Sequence, residues 1–298
     1  MDPDRILNLS KYHRKTLIGF MVLLFILLLA LDVWVKPNAL AELAEMASDY
    51  IRAIASSILT ALVVLWIVKS FLPPLSAKGL NEIQPEQITK EFDLLLATAT
   101  SWRYKGNFGR YLRNKVLTSL ENRMNMHISV CIIDPKNDHL CAEHAVYRGR
   151  IHAIDKGRKY DANLVATEAL VTIIFCAWHV AHKKSKIDLY LTSVFDPVRI
   201  DANDNAMILT VEDRRQPALK VTKEHFSYAH FDSQLKFTRE QARPLDLVGL
   251  KASTSISTLT SKDIIDFCER INMKELCERL TAKSILKACK ESKNPYES

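Results

Sequence analysis

Several residue clusters carry groups that do chemistry. His139, Cys141, Glu143 and His144 fall close together, and imidazole, thiolate and carboxylate are metal-ligating groups. Their spacing fits no standard zinc pattern, and no metal is expected there. His179, His182, Lys183, Lys184 and Lys186 close a long apolar stretch. Cations are favoured at a helix C-terminus, so this cluster reads as a solvated cap, with a binding surface as the alternative. Arg148, Arg150, Lys156, Arg158 and Lys159 form a second basic cluster. It suits phosphates of lipid or nucleic acid, and equally suits plain exposed surface. Arg148, Arg150, Arg158, Lys159, Lys183 and Lys184 are thus the candidate contacts for a partner or a phosphate.

The common catalytic and cofactor motifs are missing. There is no Gly-x4-Gly-Lys-Ser/Thr, no Gly-x-Gly-x-x-Gly, no His-Glu-x-x-His and no Gly-x-Ser-x-Gly. Seven glycines in 298 residues leave little room for a phosphate loop. No catalytic residue and no cofactor are therefore assigned. The net charge of +7 fits basic residues facing anionic lipid, or a nucleic-acid partner. None of the six cysteines forms a Cys-x-x-Cys pair, and several sit inside apolar patterns. Buried free thiols in a reducing compartment follow.

The elements that must position these residues begin with an apolar segment. Leu17 to Leu31 carries no charge and, with Thr16 and Asp32 to Val35, is long enough for a helix across a layer of about 30 Å. Ile54 to Leu72 is a second apolar stretch, broken only by Lys69, which can snorkel. Trp34 and Trp66 lie near the span ends. No small-x-small cleavage site follows the first stretch, so two retained spans are expected rather than a signal peptide. Arg5, Lys11, Arg14 and Lys15 precede the first span, and Lys69, Lys78 and Lys90 lie at or after the end of the second. This places both termini in the cytoplasm. Pro37-Asn38 reads as a helix start, so the second helix is expected to run from near Asn38 to Leu72. Ala53, Ser57 and Ala61 recur every fourth residue, with Thr60 beside them. Small residues let helices approach closely, either between the two spans or between copies of the chain.

Pro73-Pro74 ends the second span. Beyond it, helix and strand patterns alternate. Helices are expected over Asn107–Asn122, His139–Ile154 and Asn163–His182. Strands are expected over Ile128–Ile133, Ile187–Leu191, Val198–Ile200 and Ala206–Val211. Thr260-Ser-Lys-Asp263 is a capping-box pattern, followed by helical spacing at Ile264, Phe267, Cys268 and Ile271; a last helix is expected over Met273–Lys290.

Phe92 to Val211 resembles the phospholipase D-like domain of bacterial defence proteins. The resemblance rests on Ala97 to Trp102, Gly109-Arg110-Tyr111-Leu112-Arg113, Ile128 to Pro135 and the arginines after His144. Active members carry His-x-Lys-x4-Asp, whose histidine attacks a phosphodiester. If Asp201 takes the aspartate place, Val194 takes that of the histidine and Asp196 that of the lysine. Without a nucleophile the covalent route is closed, which implies a sensor or docking module. Two spans joined to such a domain resemble the two-transmembrane effectors of bacterial retrons. That resemblance implies a reverse transcriptase with its RNA–DNA product as the restraining partner, and membrane damage once phage disturbs the complex.

The expected fold class is a membrane-anchored α/β (α+β) protein: two transmembrane helices, a phospholipase D-like mixed sheet with flanking helices, and C-terminal helices. The expected divisions are 1–75 (membrane), 76–90 (linker), 91–260 (cytosolic domain) and 261–298 (C-terminal helices). The expected function is a non-enzymatic effector of the bacterial inner membrane, with lipid, further copies of the chain and indirect nucleic-acid contact as other partners. A membrane-anchored phosphodiesterase and a passive anchor are the alternatives.

Overall fold

The computed structural model describes residues 11–38, 41–71, 79–121, 123, 126–152, 159–183, 185–213, 215–250 and 255–292. The chain divides into two units, Met1–Leu75 and Ser76–Ser298.

The first unit is a pair of helices, α1 (Lys11–Asn38) and α2 (Ala41–Phe71), packed on each other. Pro37-Asn38 ends α1 rather than opening α2. The seam is legible in the half-buried and buried positions: Met21, Phe25, Leu28 and Asp32 on α1, and Ser48, Ile51, Ala55, Ile58 and Leu62 on α2. Alternating steps of three and four keep such a stripe on one side of a helix. Asp32 is turned into this seam, where Ser48 Oγ donates to it at 2.5 Å and Arg52 pairs with it at 3.6 Å. Satisfying a carboxylate inside the pair avoids the cost of leaving it unpartnered among apolar groups.

Ala53, Ser57, Thr60 and Ala61 do not form this seam. All four are exposed, and the Ser57 and Thr60 hydroxyls donate to the carbonyls of Ala53 and Ser56, 2.9 Å away in each case. Ala53 and Ser57 stand two positions either side of Ala55 and point away from the partner helix, so the seam within the pair is the face centred on Ala55.

Among the described residues, two helices are long and apolar enough to cross a membrane. One is Met46–Val64 within α2, of which 11% is buried; the other is Ala162–Lys183, of which 78% is buried. The second is the core helix of the other unit. The apolar part of α1, Gly19–Trp34, is shorter.

The second unit is a mixed α+β fold with one eight-stranded sheet and flanking helices. In chain order its strands are β1 (Leu80–Ile83), β2 (Ser101–Lys105), β3 (His127–Ile133), β4 (Lys186–Thr192), β5 (Val198–Ala202), β6 (Ala206–Val211), β7 (Ala218–Thr222) and β8 (Arg243–Leu245). The spatial order is β1-β7-β6-β5-β2-β3-β4-β8. β2, β3 and β4 are parallel neighbours, and every other pairing is antiparallel. It follows that β1 and β6 run in the same direction as β2, β3 and β4. Their carboxyl ends share one edge.

The helices are α3 (Ile88–Ala97), α4 (Leu117–Leu120, entered through a π-helical turn Leu112–Val116), α5 (Asp138–Arg150), α6 (Ala162–Lys183), α7 (Phe226–Gln241), α8 (Ser261–Arg270), α9 (Lys274–Leu280) and α10 (Ala282–Lys290). Alternate strand residues divide the core by face. On β6, Ala206 and Ile208 join the large core with α3, α5 and α6, while Met207 and Leu209 join a smaller cluster with Tyr228 and Leu235 of α7. α10 packs on α6 and α8, and α9 packs on α8 and α10, so residues 261–290 complete the large core. The stretch 76–90, expected as a linker, contains β1 and the start of α3. β1 is short and polar, with only Ile83 buried, and pairs as an edge strand. The helix expected over Met273–Lys290 breaks at Thr281, whose φ is +62°. All six cysteines are free and buried. Pro73-Pro74, Lys156, Arg158 and Lys184 lie outside the described residues.

Candidate functional site: a guanidinium–carboxylate network at the carboxyl edge of the sheet

The loop leaving β2, Gly106 to Gly109, starts the site. Its shape depends on two glycines. A Cβ on Gly106 would stand 2.4 Å from the Tyr104 hydroxyl. Gly109 has φ +71°, and a Cβ there would stand 2.9 Å from Thr172. The Gly109 N–H donates to the Tyr104 hydroxyl at 3.0 Å, and the Thr172 hydroxyl donates to the Phe108 carbonyl. The loop is thereby fixed to β2 on one side and α6 on the other.

It presents Arg110 and Arg113 to α6. Both converge on Glu168, the one carboxylate in an otherwise apolar run of that helix. Arg110 Nη2 donates to Glu168 Oε1 at 2.6 Å, and Arg113 Nη2 donates to Oε2. Arg113 Nη1 adds bonds to the Glu168 carbonyl (3.0 Å) and the Thr172 hydroxyl (2.8 Å). Burial raises the Glu168 carboxyl, but the two guanidiniums outweigh it and hold the group at about 2. Burial also lowers Arg113, against the pull of Glu168.

A second carboxylate, Glu212, follows the end of β6. Arg148 Nη1 donates to it at 2.6 Å, His144 Nε2 lies 3.1 and 3.2 Å from its two oxygens, and Asn107 Nδ2 donates at 3.0 Å. Burial again opposes ionisation, but His144 and Arg148 win and Glu212 sits far below the usual carboxylate range. Tyr160 joins the halves, accepting from Arg110 (2.9 Å) and Arg148 (3.1 Å). Both guanidiniums lie 5.3 Å from the Phe108 ring centre. The result is one connected chain: Arg113, Glu168, Arg110, Tyr160, Arg148, Glu212, His144.

A cavity of about 510 Å³ opens beside this chain, at the carboxyl ends of β1, β2 and β6. Arg110, Arg148 and Arg199 line it. Arg199 Nε donates to the buried Asp201 at 2.5 Å, and its guanidinium lies 4.9 Å from the Phe92 ring and 5.4 Å from that of Tyr111.

A histidine on a carboxylate has the form of a general base. Here the imidazole is fully buried and its Nε2 faces Glu212, which Arg148 also holds. The arrangement fixes charges in place. At the positions matched to the phospholipase D motif, Val194 is 60% exposed, Asp196 pairs with Lys105, and Asp201 is buried on Arg199.

The expected contacts separate in space. Arg148 is largely buried in the network and is reached only from the cavity it lines, not from the open surface. Arg150 and Lys159 are exposed. Lys183 pairs with Glu121 at 3.2 Å, away from the network. His139 faces outward toward Glu143 at 3.8 Å, while His144 points into the core, so the two do not converge. Arg110, Glu168 and Glu212 were not visible as site residues in the sequence. The one available signal was a lone carboxylate inside the apolar run of α6, which burial obliges to find a cation.

No family model and no curated protein matches the chain. Among solved structures, one likeness is to TrmBL2, an archaeal chromatin protein whose structure shows a novel mode of DNA binding. It is 11% identical, covers 70% of each chain and has a TM-score of 0.33. A likeness of that size carries no argument about this fold or this site.

Proposed function

We propose that the chain is a membrane effector. The α1–α2 hairpin sits in the bacterial inner membrane with both termini in the cytoplasm, and the α+β unit is a non-enzymatic sensor. The observation that carries the reading is the outer surface of the hairpin. Phe20, Leu23 and Leu27 on α1, and Ile54, Leu59 and Val64 on α2, are about half exposed or more, while Asp32 is turned inward. A continuous apolar surface of this kind is matched by lipid and not by water. The buried His144 and the residue at Val194 support the non-enzymatic part. The resemblance to two-transmembrane retron effectors supplies the partner and the trigger: a reverse transcriptase with its RNA–DNA product restrains the chain, and release damages the membrane in an abortive response to phage.

Induction of the full chain in bacteria loaded with a potential-sensitive dye tests this. The expected result is collapse of the membrane potential as growth stops, and its suppression when the reverse transcriptase and its RNA–DNA product are co-expressed. An intact potential in dying cells would overturn it.

A further inference from the structure

The cavity beside the arginine network has the size, position and lining of a small-molecule site. Small-molecule sites occupy roughly 300–1,000 Å³, and this one is about 510 Å³. Its position follows from the sheet. The chain steps from β2 outward through β3 to β4, then crosses back to lay β5 on the other side of β2. Open sheets bind ligands outside the carboxyl ends of strands at such a reversal.

The lining sets the ligand. Arg110, Arg148 and Arg199 are three planar forks held rigidly before any ligand arrives, each by a carboxylate and an aromatic ring. Arginine forks of this kind match phosphate oxygens, and preorganisation removes the entropy cost of ordering them. Arg110 shares Glu168 with Arg113, which stands behind the cavity wall. The remaining wall limits the rest of the ligand. Thr89, Thr210 and Gln216 offer neutral hydrogen-bonding groups, while Glu86, Asp213 and the Arg148-paired Glu212 are acidic. A second anionic group would meet those acids; hydroxyls or a base would meet the neutral groups.

We propose that this cavity binds a phosphate monoester with a neutral, hydrogen-bonding body, of the size of a nucleoside monophosphate or a sugar phosphate, with its phosphate against Arg110 and Arg148. The binding is independent of what the apolar hairpin does, and the test reads binding alone.

The full chain in phosphatidylcholine nanodiscs is titrated by calorimetry with adenosine 5′-monophosphate, uridine 5′-monophosphate and glucose 6-phosphate. Adenosine and adenosine triphosphate are the contrasting ligands. Saturable binding of at least one monophosphate is expected, at least tenfold tighter than adenosine and tighter than the triphosphate. Nanodiscs doped with phosphatidic acid form a parallel arm. Competition there against the soluble ligand identifies a lipid phosphate as the natural source, and its absence identifies a soluble one; either keeps the phosphate chemistry. Arg148→Lys keeps the charge and loses the fork, and should weaken binding about tenfold. Thr89 is exposed on α3 at the rim, so Thr89→Trp fills the mouth without entering the core and should abolish binding at an unchanged unfolding temperature. No binding of any monophosphate at millimolar concentration would overturn the proposal. Binding that survives Thr89→Trp would place the ligand elsewhere and overturn it as well.

Discussion

Glu168 is the residue on which two buried guanidiniums depend. Removing one partner of a buried ion pair leaves the other charge uncompensated, at a cost of about 3–5 kcal/mol. Glu168→Gln should therefore lower the stability of the full chain by that order in a urea titration, with Arg113→Met recovering part of the loss. A null effect would show that Arg110 and Arg113 are held by other groups. The pH dependence has a sign for each group. Glu168 falls from an ordinary 4.5 to about 2, so its contribution is complete above 4.5 and is lost as pH drops toward 2. His179 behaves differently. Burial lowers it from 6.5 to about 4, against the pull of Glu121. Its folded form is the neutral one, so stability is complete above 6.5 and falls as pH drops from 6.5 to 4. The loss from this residue is up to about 3 kcal/mol. Stability measured across that window should fall less steeply in His179→Leu than in the parent. Parallel curves would remove His179 as the cause.

Elements were legible where one local signal decided them. Ile128 to Ile133 is a β-branched run buried on both faces, and β3 lies there. The Thr260 capping box forms in full at the start of α8. α6 was legible as a long apolar helix, although its composition alone does not separate a core helix from a membrane one. β1, β2 and β7 are short and mix charged with apolar residues, and only their neighbours in the sheet make them strands. α7 carries exposed Phe226 and Phe237, which blur its pattern. The site was the least legible part. Its cations and acids come from the helical turn after the β2 loop, from α5 and α6, and from the end of β6, and only the strand register brings them together. The hairpin gives an element-scale prediction. Ala55 is 4% exposed in the seam, whereas Ser57 points outward. With cysteines placed at Asp32 and Ser48, oxidation in membranes should form the disulfide readily. Adding Ala55→Leu should reduce its yield several-fold, because the seam has no room for the larger side chain. Ser57→Leu should leave the yield unchanged. If both changes act alike, α1 and α2 do not meet along this seam.

For the whole molecule, charge and thiol chemistry each bear on the proposed orientation. Basic residues resist translocation, and Arg5, Lys11, Arg14 and Lys15 precede α1 while the region between the apolar stretches has Lys36 and Arg52 among three acids. Arg52 is further tied to Asp32 at 3.6 Å, which reduces its weight as a free positive charge. Six buried free thiols suit a reducing compartment for the α+β unit, an argument that owes nothing to the arginine and lysine count. Both are grounds for the proposed orientation, with the sheet inside and the residues between α1 and α2 outside. Because the native thiols are buried, single introduced cysteines report their own side. Asn38→Cys should react with a membrane-impermeant maleimide in intact spheroplasts. Glu291→Cys, exposed just past α10, should react only after lysis. The reverse pattern would put the α+β unit outside and remove a cytoplasmic partner from the proposed function. Labelling of both in intact spheroplasts would show that the hairpin does not cross the bilayer, and would leave its apolar surface to be covered by protein.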